Sequence, residues 1–255
     1  TQEQFWAKHR YQREDQLFKD LLATTSLYSI WDDHEVKNDF SGPSEPLTPV
    51  GLKAFFDYFP LQRLPEEPQR LYRSFHWGNR VELFLLDTRQ YRSTNGRQDG
   101  PDKTMLGPAQ LRWFLDGLTA STATWKIIVS GVPLSAHTGR VLNGHDGWGG
   151  SALADGFTTE LRTIVATLQE KQMRNVVWLS TDIHVARFLS YDPNNDSRPD
   201  FYEFISGPLS AITGNLDSLD YTFHPTIVYE ENGFYNFGVV KVNGKSGALT
   251  AEIRD

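Results

Sequence analysis

Three short stretches of this chain group the side chains that bind hard cations and phosphate. They are Asp32-Asp33-His34-Glu35, the run from Asp87 through Arg89 to Arg92, and Asp182 with His184. Carboxylate oxygen and imidazole nitrogen ligate hard divalent and trivalent cations, while a guanidinium grips phosphate oxygens in pairs. Each stretch follows an apolar run of strand character, at residues 26–31, 80–86 and 175–180. Polar groups at the ends of apolar strands are where α/β folds carry their chemistry. Asp182 and His184 stand two apart, which on a strand puts both on one face. An Asp-x-His after a strand is also what a surface turn looks like; the placement of all three stretches together favours a metal site.

To bring these residues together, the strands that carry them must end side by side. Residues 2–22 space Phe5, Trp6, Leu17, Phe18, Leu21 and Leu22 at three- and four-residue steps, which predicts an amphipathic helix. A Gly/Pro/Ser-rich loop at 41–49 leads to a helix holding Leu52, Phe55, Phe56 and Phe59. Runs 73–77 and 80–86 flank Gly78-Asn79 as a hairpin. A helix over 107–118 opens with a proline near its start, and strand 125–130 follows it. Beyond a glycine-rich loop at 135–150, a helix is expected over 153–168, then strands at 175–180, 187–191, 201–205, 234–242 and 248–253. Helices and strands alternate first and strands dominate later, so the pattern predicts a mixed α/β sandwich. No composition shift marks a second domain.

The composition narrows the functional classes. A chain of 255 residues with 39% hydrophobic residues, including 7 Trp, 10 Tyr and 16 Phe, fills a substantial core. Lys+Arg 25 against Asp+Glu 32 leaves a net charge of −7, which opposes general attraction to nucleic acid or anionic lipid. A phosphate-bearing ligand would therefore need a local positive site, which a metal ion supplies. With no cysteine, disulfides, thiolate zinc sites and cysteine nucleophiles are excluded. No apolar run approaches the ~18 residues of a membrane span.

Trp31-Asp32-Asp33-His34-Glu35-Val36-Lys37-Asn38, preceded by an aromatic-rich helix, resembles the signature of PhoD-like alkaline phosphatases and phosphodiesterases, a branch of the metallophosphoesterases. The resemblance continues in family order through Leu83-Phe-Leu-Leu-Asp-Thr-Arg-Gln-Tyr-Arg92, Leu106-Gly-Pro-Ala-Gln-Leu-Arg-Trp-Phe-Leu115, Leu179-Ser-Thr-Asp-Ile-His184 and Glu203-Phe-Ile-Ser-Gly-Pro208. It implies a calcineurin-like fold, a four-layer α/β/β/α sandwich with two mixed sheets, over residues 1–255. It also implies hydrolysis of phosphate monoesters or diesters by a metal-activated water. Two metal ions are implied, iron with calcium or another divalent ion such as zinc, manganese or magnesium. By the same resemblance Asp33, Asp182, His184 and Asn38 are metal ligands. His34 stabilises the transition state or protonates the leaving oxygen, and Glu35 either supports His34 or caps the turn. Arg89, Arg92, Asp146 and Trp148 are candidate substrate contacts, and an exported, periplasmic or secreted location is implied.

The chain also departs from the family pattern. An early strand ending in a metal ligand, and a glycine-aspartate block whose carboxylate bridges the metals, are both absent from it. The expectation is an upstream segment that supplies these motifs and the first strands; the alternative is a non-catalytic chain that binds a phosphorylated ligand or partner. Asp146-Gly-Trp-Gly-Gly-Ser151 keeps Asp146 and Trp148 of a family pocket stretch but replaces other positions by Gly149 and Ser151. His137 and His145 are further imidazoles in that region, read as ligands or as solvated loop residues. Oxygen donors between Asp192 and Glu203 follow calcium-loop spacing, but Ser197 stands where such loops use glycine, so an ordinary polar turn is the better reading.

Overall fold

The structure, a computed structural model, describes residues 1–139, 144–150 and 154–255. Its centre is a seven-stranded mixed sheet. In chain order the strands are β1 (Arg73–Trp77), β2 (Val81–Leu85), β3 (Trp125–Val129), β4 (Val176–Ser180), β5 (Ala186–Tyr191), β6 (Phe201–Ile205) and β7 (Pro225–Glu231). They lie side by side as β1-β2-β3-β4-β6-β5-β7, and β2, β3, β4 and β6 are mutually parallel. The carboxyl ends of these four strands therefore lie along one edge, the place where open α/β sheets bind ligands. A separate antiparallel ribbon pairs β8 (Phe237–Val242) with β9 (Leu249–Arg254).

One face of the sheet is closed by two helices, α4 (Gly107–Ala120) and α5 (Thr158–Glu170). Pro108 sits in the first turn of α4, where a missing N–H is harmless, and its apolar residues return on one stripe. Phe114 and Leu118 of α4, with Leu161, Ile164, Val165 and Leu168 of α5, form a continuous core with Phe84, Ile128 and Trp178. Those last three stand opposite one another in the parallel register, so one row of the sheet receives both helices.

The opening periodicity resolves into two helices, α1 (Gln2–Gln12) and α2 (Gln16–Thr24), because Asp15 accepts the Phe18 N–H at 2.9 Å and caps a fresh start. Helix α1 docks on α3 (Thr48–Tyr58): Trp6 Nε1 donates to Asp57 Oδ2 at 2.8 Å and Arg13 Nη2 to the Tyr58 carbonyl at 3.1 Å. Helix α2 buries none of its side chains. Residues 26–31 are extended but pair with no strand. The Ser29 carbonyl is taken instead by the Arg73 guanidinium, and Trp31 turns into a second core with Phe40, Leu52, Phe55 and Leu71.

Helix α5 begins at Thr158, and Leu153 and Ser151 lie outside the described residues. Strand β7 was not anticipated: its exposed apolar residues Ile227, Val228 and Tyr229 show no clean inside-outside alternation.

Stability should rest on the α4/α5 face. Phe114→Ala, at a site with no solvent exposure, is expected to lower unfolding free energy by about 3–5 kcal/mol. Leu17→Ala on α2, at 80% exposure, should change it by less than about 0.5 kcal/mol. Urea titration followed by tryptophan fluorescence compares the two; equal shifts would contradict this core assignment.

Candidate metal centre

Asp32, Asp33 and Asp182 converge beyond the carboxyl edge of the sheet, each offering a carboxylate oxygen within 4.8 Å of the others. They line a cavity of about 650 Å³ together with His34, Glu35, Asn38, Asp39, Thr138, Thr181, His184 and Ile212. Asp32 and Asp33 reach this place at the end of the extended segment. There a 3-10 turn, Asp33–Glu35, folds both carboxyl groups toward one cavity. The Glu35 carboxylate accepts the Asp32 N–H at 2.7 Å and so fixes the turn. Asp33 is oriented from both sides, its Oδ1 accepting the His34 N–H at 2.7 Å and its Oδ2 the Asp39 N–H at 2.9 Å.

Asp182 arrives differently. Strand β4 stops at Ser180, and Asp182 and His184 adopt left-handed backbone conformations, φ 79° and 57°. The same-face argument from strand alternation therefore does not apply: a turn presents these two residues, not a strand. Non-glycine residues in this region are uncommon and cluster at functional sites, with Asp and His better tolerated than bulky residues. Thr138 Oγ1 donates to Asp182 Oδ2 at 2.5 Å. His184 and Asn38 share the cavity but stand outside the close trio.

Below the trio lies a buried ion-pair network. Arg89, with no solvent exposure, donates from Nε to Asp32 Oδ1 at 2.6 Å and from Nη1 to Asp146 Oδ1 at 2.8 Å; its Nη2 bonds the other Asp146 oxygen and lies 4.0 Å from Asp182. Arg92 Nη1 and Asn95 Nδ2 also donate to Asp146 Oδ1, at 3.2 and 2.7 Å. Burial alone would raise the Asp146 pKa, but Arg92 and Arg89 hold it below the usual carboxylate value. Burial draws Arg92 down to about 10, against the pull of Asp146. Gly131 closes the floor, since a Cβ there would lie 2.8 Å from Asp32 Oδ1 and 2.9 Å from Thr88 Oγ1.

The four expected substrate contacts lie in this network or beside it. Arg89, Arg92, Asp146 and Trp148 are all buried, and both guanidinium groups pair with Asp146, while Arg92 Nε finds no hydrogen-bond partner among the described residues. Trp148 sits in the core, its Nε1 donating to Ser130 Oγ at 3.3 Å. Arg89 joins Asp146 to Asp32, and Arg92 also braces Asp146. Asp87 is structural as well, accepting from Trp31 Nε1 at 2.7 Å and from the Arg89 and Gln90 N–H groups. His137 hydrogen-bonds Ser218 at 2.9 Å and His145 pairs with Asp155, so neither belongs to the trio. In the polar loop, the Asp192 carboxylate accepts the Asp196 and Ser197 N–H groups, an ordinary self-bonded turn.

Asp32 was not assigned as a ligand from sequence. Of Asp32 and Asp33, the resemblance implies only Asp33 as a metal ligand. The signal that could have found it is the turn chemistry of Glu35, three residues later.

The trio has the chemistry of a cation site. Burial raises the Asp182 pKa to about 7, repulsion from Asp146 adds to this, and Arg89 opposes it. Asp32 is raised by burial too, with Arg89 again opposing and Asp182 and Asp33 repelling. Converging carboxylates that resist ionisation together fit a hard cation, which would favour their charged forms. Cation binding must then displace the Asp182 proton below pH 7. Manganese affinity, measured by calorimetry, should rise by at least about tenfold per pH unit up to about pH 7 and less steeply above it. The sign for stability follows: because the folded-state pKa is raised, the metal-free protein should lose stability as pH climbs through about 7, and added cation should restore it. A metal affinity independent of pH between 5 and 7 would contradict this assignment.

Comparison with known proteins agrees with the geometry. The family model for PhoD-like phosphatases matches residues 1–253. Alkaline phosphatase D of Bacillus subtilis (strain 168) is 27% identical over 213 residues, 73% of this chain and 36% of that protein. A solved structure of PhoD is 28% identical and superposes with a TM-score of 0.57, covering 69% of this chain and 38% of its own. The chain thus spans little more than a third of the length of either relative. With the family match running over nearly its whole length, the chain belongs to the PhoD-like phosphatases.

Proposed function

We propose that this chain carries the catalytic face of a metal-dependent phosphoesterase acting on phosphate monoesters or diesters. The observation that carries the reading is the convergence of Asp32, Asp33 and Asp182 at the carboxyl edge of the sheet, with His34 lining the same cavity. Asp33 and Asp182, with Asp32, would hold a hard cation, and His184 and Asn38 stand where they could extend the ligand set. Oxygen donors with one imidazole suit iron, calcium, manganese or magnesium, with zinc tolerated. Such cations, when bound, lower the pKa of water and neutralise charge on phosphoryl oxygens.

The protein's own residues then do the rest. Arg89 and Asp146 keep Asp32 and Asp182 at fixed separation, Thr138 orients Asp182, and Glu35 shapes the turn that presents His34. His34, exposed at the cavity wall, gives its ring proton to the departing alcohol oxygen. The two-stranded ribbon represents, in this reading, part of the second sheet of a four-layer sandwich.

A second reading has its own observation. Among the described residues only three acidic groups converge, too few donors for two cations, and the chain covers 36% of the Bacillus subtilis relative. The chain would then bind a phosphorylated ligand and need an upstream segment to turn it over. Expressing residues 1–255 with and without that segment, and measuring bound metal and phosphatase turnover, separates the readings. Two bound metals and full turnover in the 255 residues alone would refute the need for a partner segment.

In the active form, His34→Ala should lower kcat for aryl phosphates by about 100-fold with metal content unchanged. The loss should shrink for highly acidic leaving groups, which need little protonation. Loss of metal in this variant would make His34 a ligand and overturn its role as the acid.

A further inference from the structure

Next to the carboxylate cavity is a smaller hollow of about 240 Å³, lined by Gln4, Phe5, Lys8, His9 and Gln12 of α1 and by His34, Glu35 and Val36. His34 and Glu35 line both spaces and form the wall between them. Positions 4, 5, 8 and 12 fall on one side of a helix, so α1 offers the hollow a single stripe: two amides, one aromatic ring and one ammonium.

We propose that this hollow is the leaving-group subsite, and that it takes a small organic alcohol carrying a negative charge or strong acceptor that Lys8 recognises. The proposal rests on the phosphoesterase reading, through the chemistry of His34. In hydrolysis a water oxygen bonds to phosphorus and the bond from phosphorus to the alcohol oxygen breaks. The electron pair stays on that oxygen, and the His34 ring proton neutralises it while the water's proton leaves to solvent. A proton donor must touch the oxygen it protonates, so the alcohol departs on the His34 side. This hollow is the smaller of the two spaces that His34 lines, and the one without the three converging carboxylates.

The wall is rigid before any ligand arrives. Besides the Trp6 and Arg13 contacts with α3, Gln2 Nε2 donates to the Val50 carbonyl at 3.2 Å, and the His9 ring stacks on Tyr58 with centroids 5.0 Å apart. A preformed wall loses little freedom when it binds. Its volume matches a single ring or sugar-sized group more closely than a polymer segment. Burial, with repulsion from Arg13, lowers the His9 pKa and keeps that ring neutral near neutral pH. Glu35 is engaged with the Asp32 N–H. Lys8, exposed, is the one lysine among the lining residues, and Phe5, half-buried, offers its ring to a flat group.

The test uses two non-hydrolysable probes, phenylphosphonate and 4-carboxyphenylphosphonate, titrated calorimetrically into the protein with manganese present. The wild-type chain should bind the carboxylated probe about 3- to 5-fold more tightly, the worth of one exposed ion pair, and 1 M salt should remove the preference. Lys8→Ala should abolish it and Lys8→Glu reverse it, while Lys19→Ala, on α2 and outside the hollow, should leave it intact. Neither Lys8 variant should change the manganese affinity. A preference that survives Lys8→Ala would overturn the subsite and leave the phosphoesterase reading standing. Failure of both probes to bind, in protein that holds manganese, would overturn the phosphoesterase reading and the subsite with it.

Discussion

The Arg89 guanidinium is fully buried and bonds the carboxylates of Asp32 and Asp146, with Asp182 at 4.0 Å. A buried charge is costly unless paired, and this one is paired by acids from three separate parts of the chain. Asp32 comes from the extended segment after α2, Asp146 from the loop after β3, and Asp182 from the turn after β4. One planar cation therefore links three loops at their carboxylates, in addition to the backbone bonds that hold each of them. The fork geometry matters, because a lysine could satisfy one of these partners but not all of them together.

Above that anchor the acids crowd. A site that must hold a cation needs carboxylates closer together than their mutual repulsion favours, and folding has to tolerate this before any cation arrives. Two features make it tolerable here. Raised pKa values at Asp32 and Asp182 let the metal-free site carry protons in place of charge. Rigid surroundings then prevent the acids from swinging apart. Glu203, buried in the middle of β6, accepts the Leu134 N–H at 2.8 Å, Ser180 Oγ at 2.6 Å and Tyr191 Oη at 2.5 Å, which ties β4, β5 and β6 to the loop that carries Thr138.

Strands β2, β3, β4 and β6 and helices α4 and α5 were readable because burial on one side or both imposes regular apolar spacing. The carboxyl-edge placement of Asp182, just beyond β4, followed from that regularity. What escaped reading lay where spacing does not decide conformation. Residues 26–31 look like a strand, yet Arg73 claims the Ser29 carbonyl and leaves the segment unpaired. Arg89, Arg92 and Asp146 are the residue types that grip phosphate, and nothing in a linear sequence says that they grip one another. Asp32 was hidden by its neighbour, since the turn that aims both residues into one cavity depends on a bond from Glu35.

The left-handed backbone at Asp182 and His184 has a bearing on how this site can change over generations. Valine, isoleucine or threonine at either position would strain the turn as well as remove a donor, so such changes threaten the fold and are purged early. Asparagine at 182 is different, because it accepts the same backbone geometry and can still meet the Thr138 hydroxyl while lacking the charge. The turn thus leaves open a narrow path along which a descendant could keep its shape and its cavity, surrender its cation, and persist as a protein that only binds.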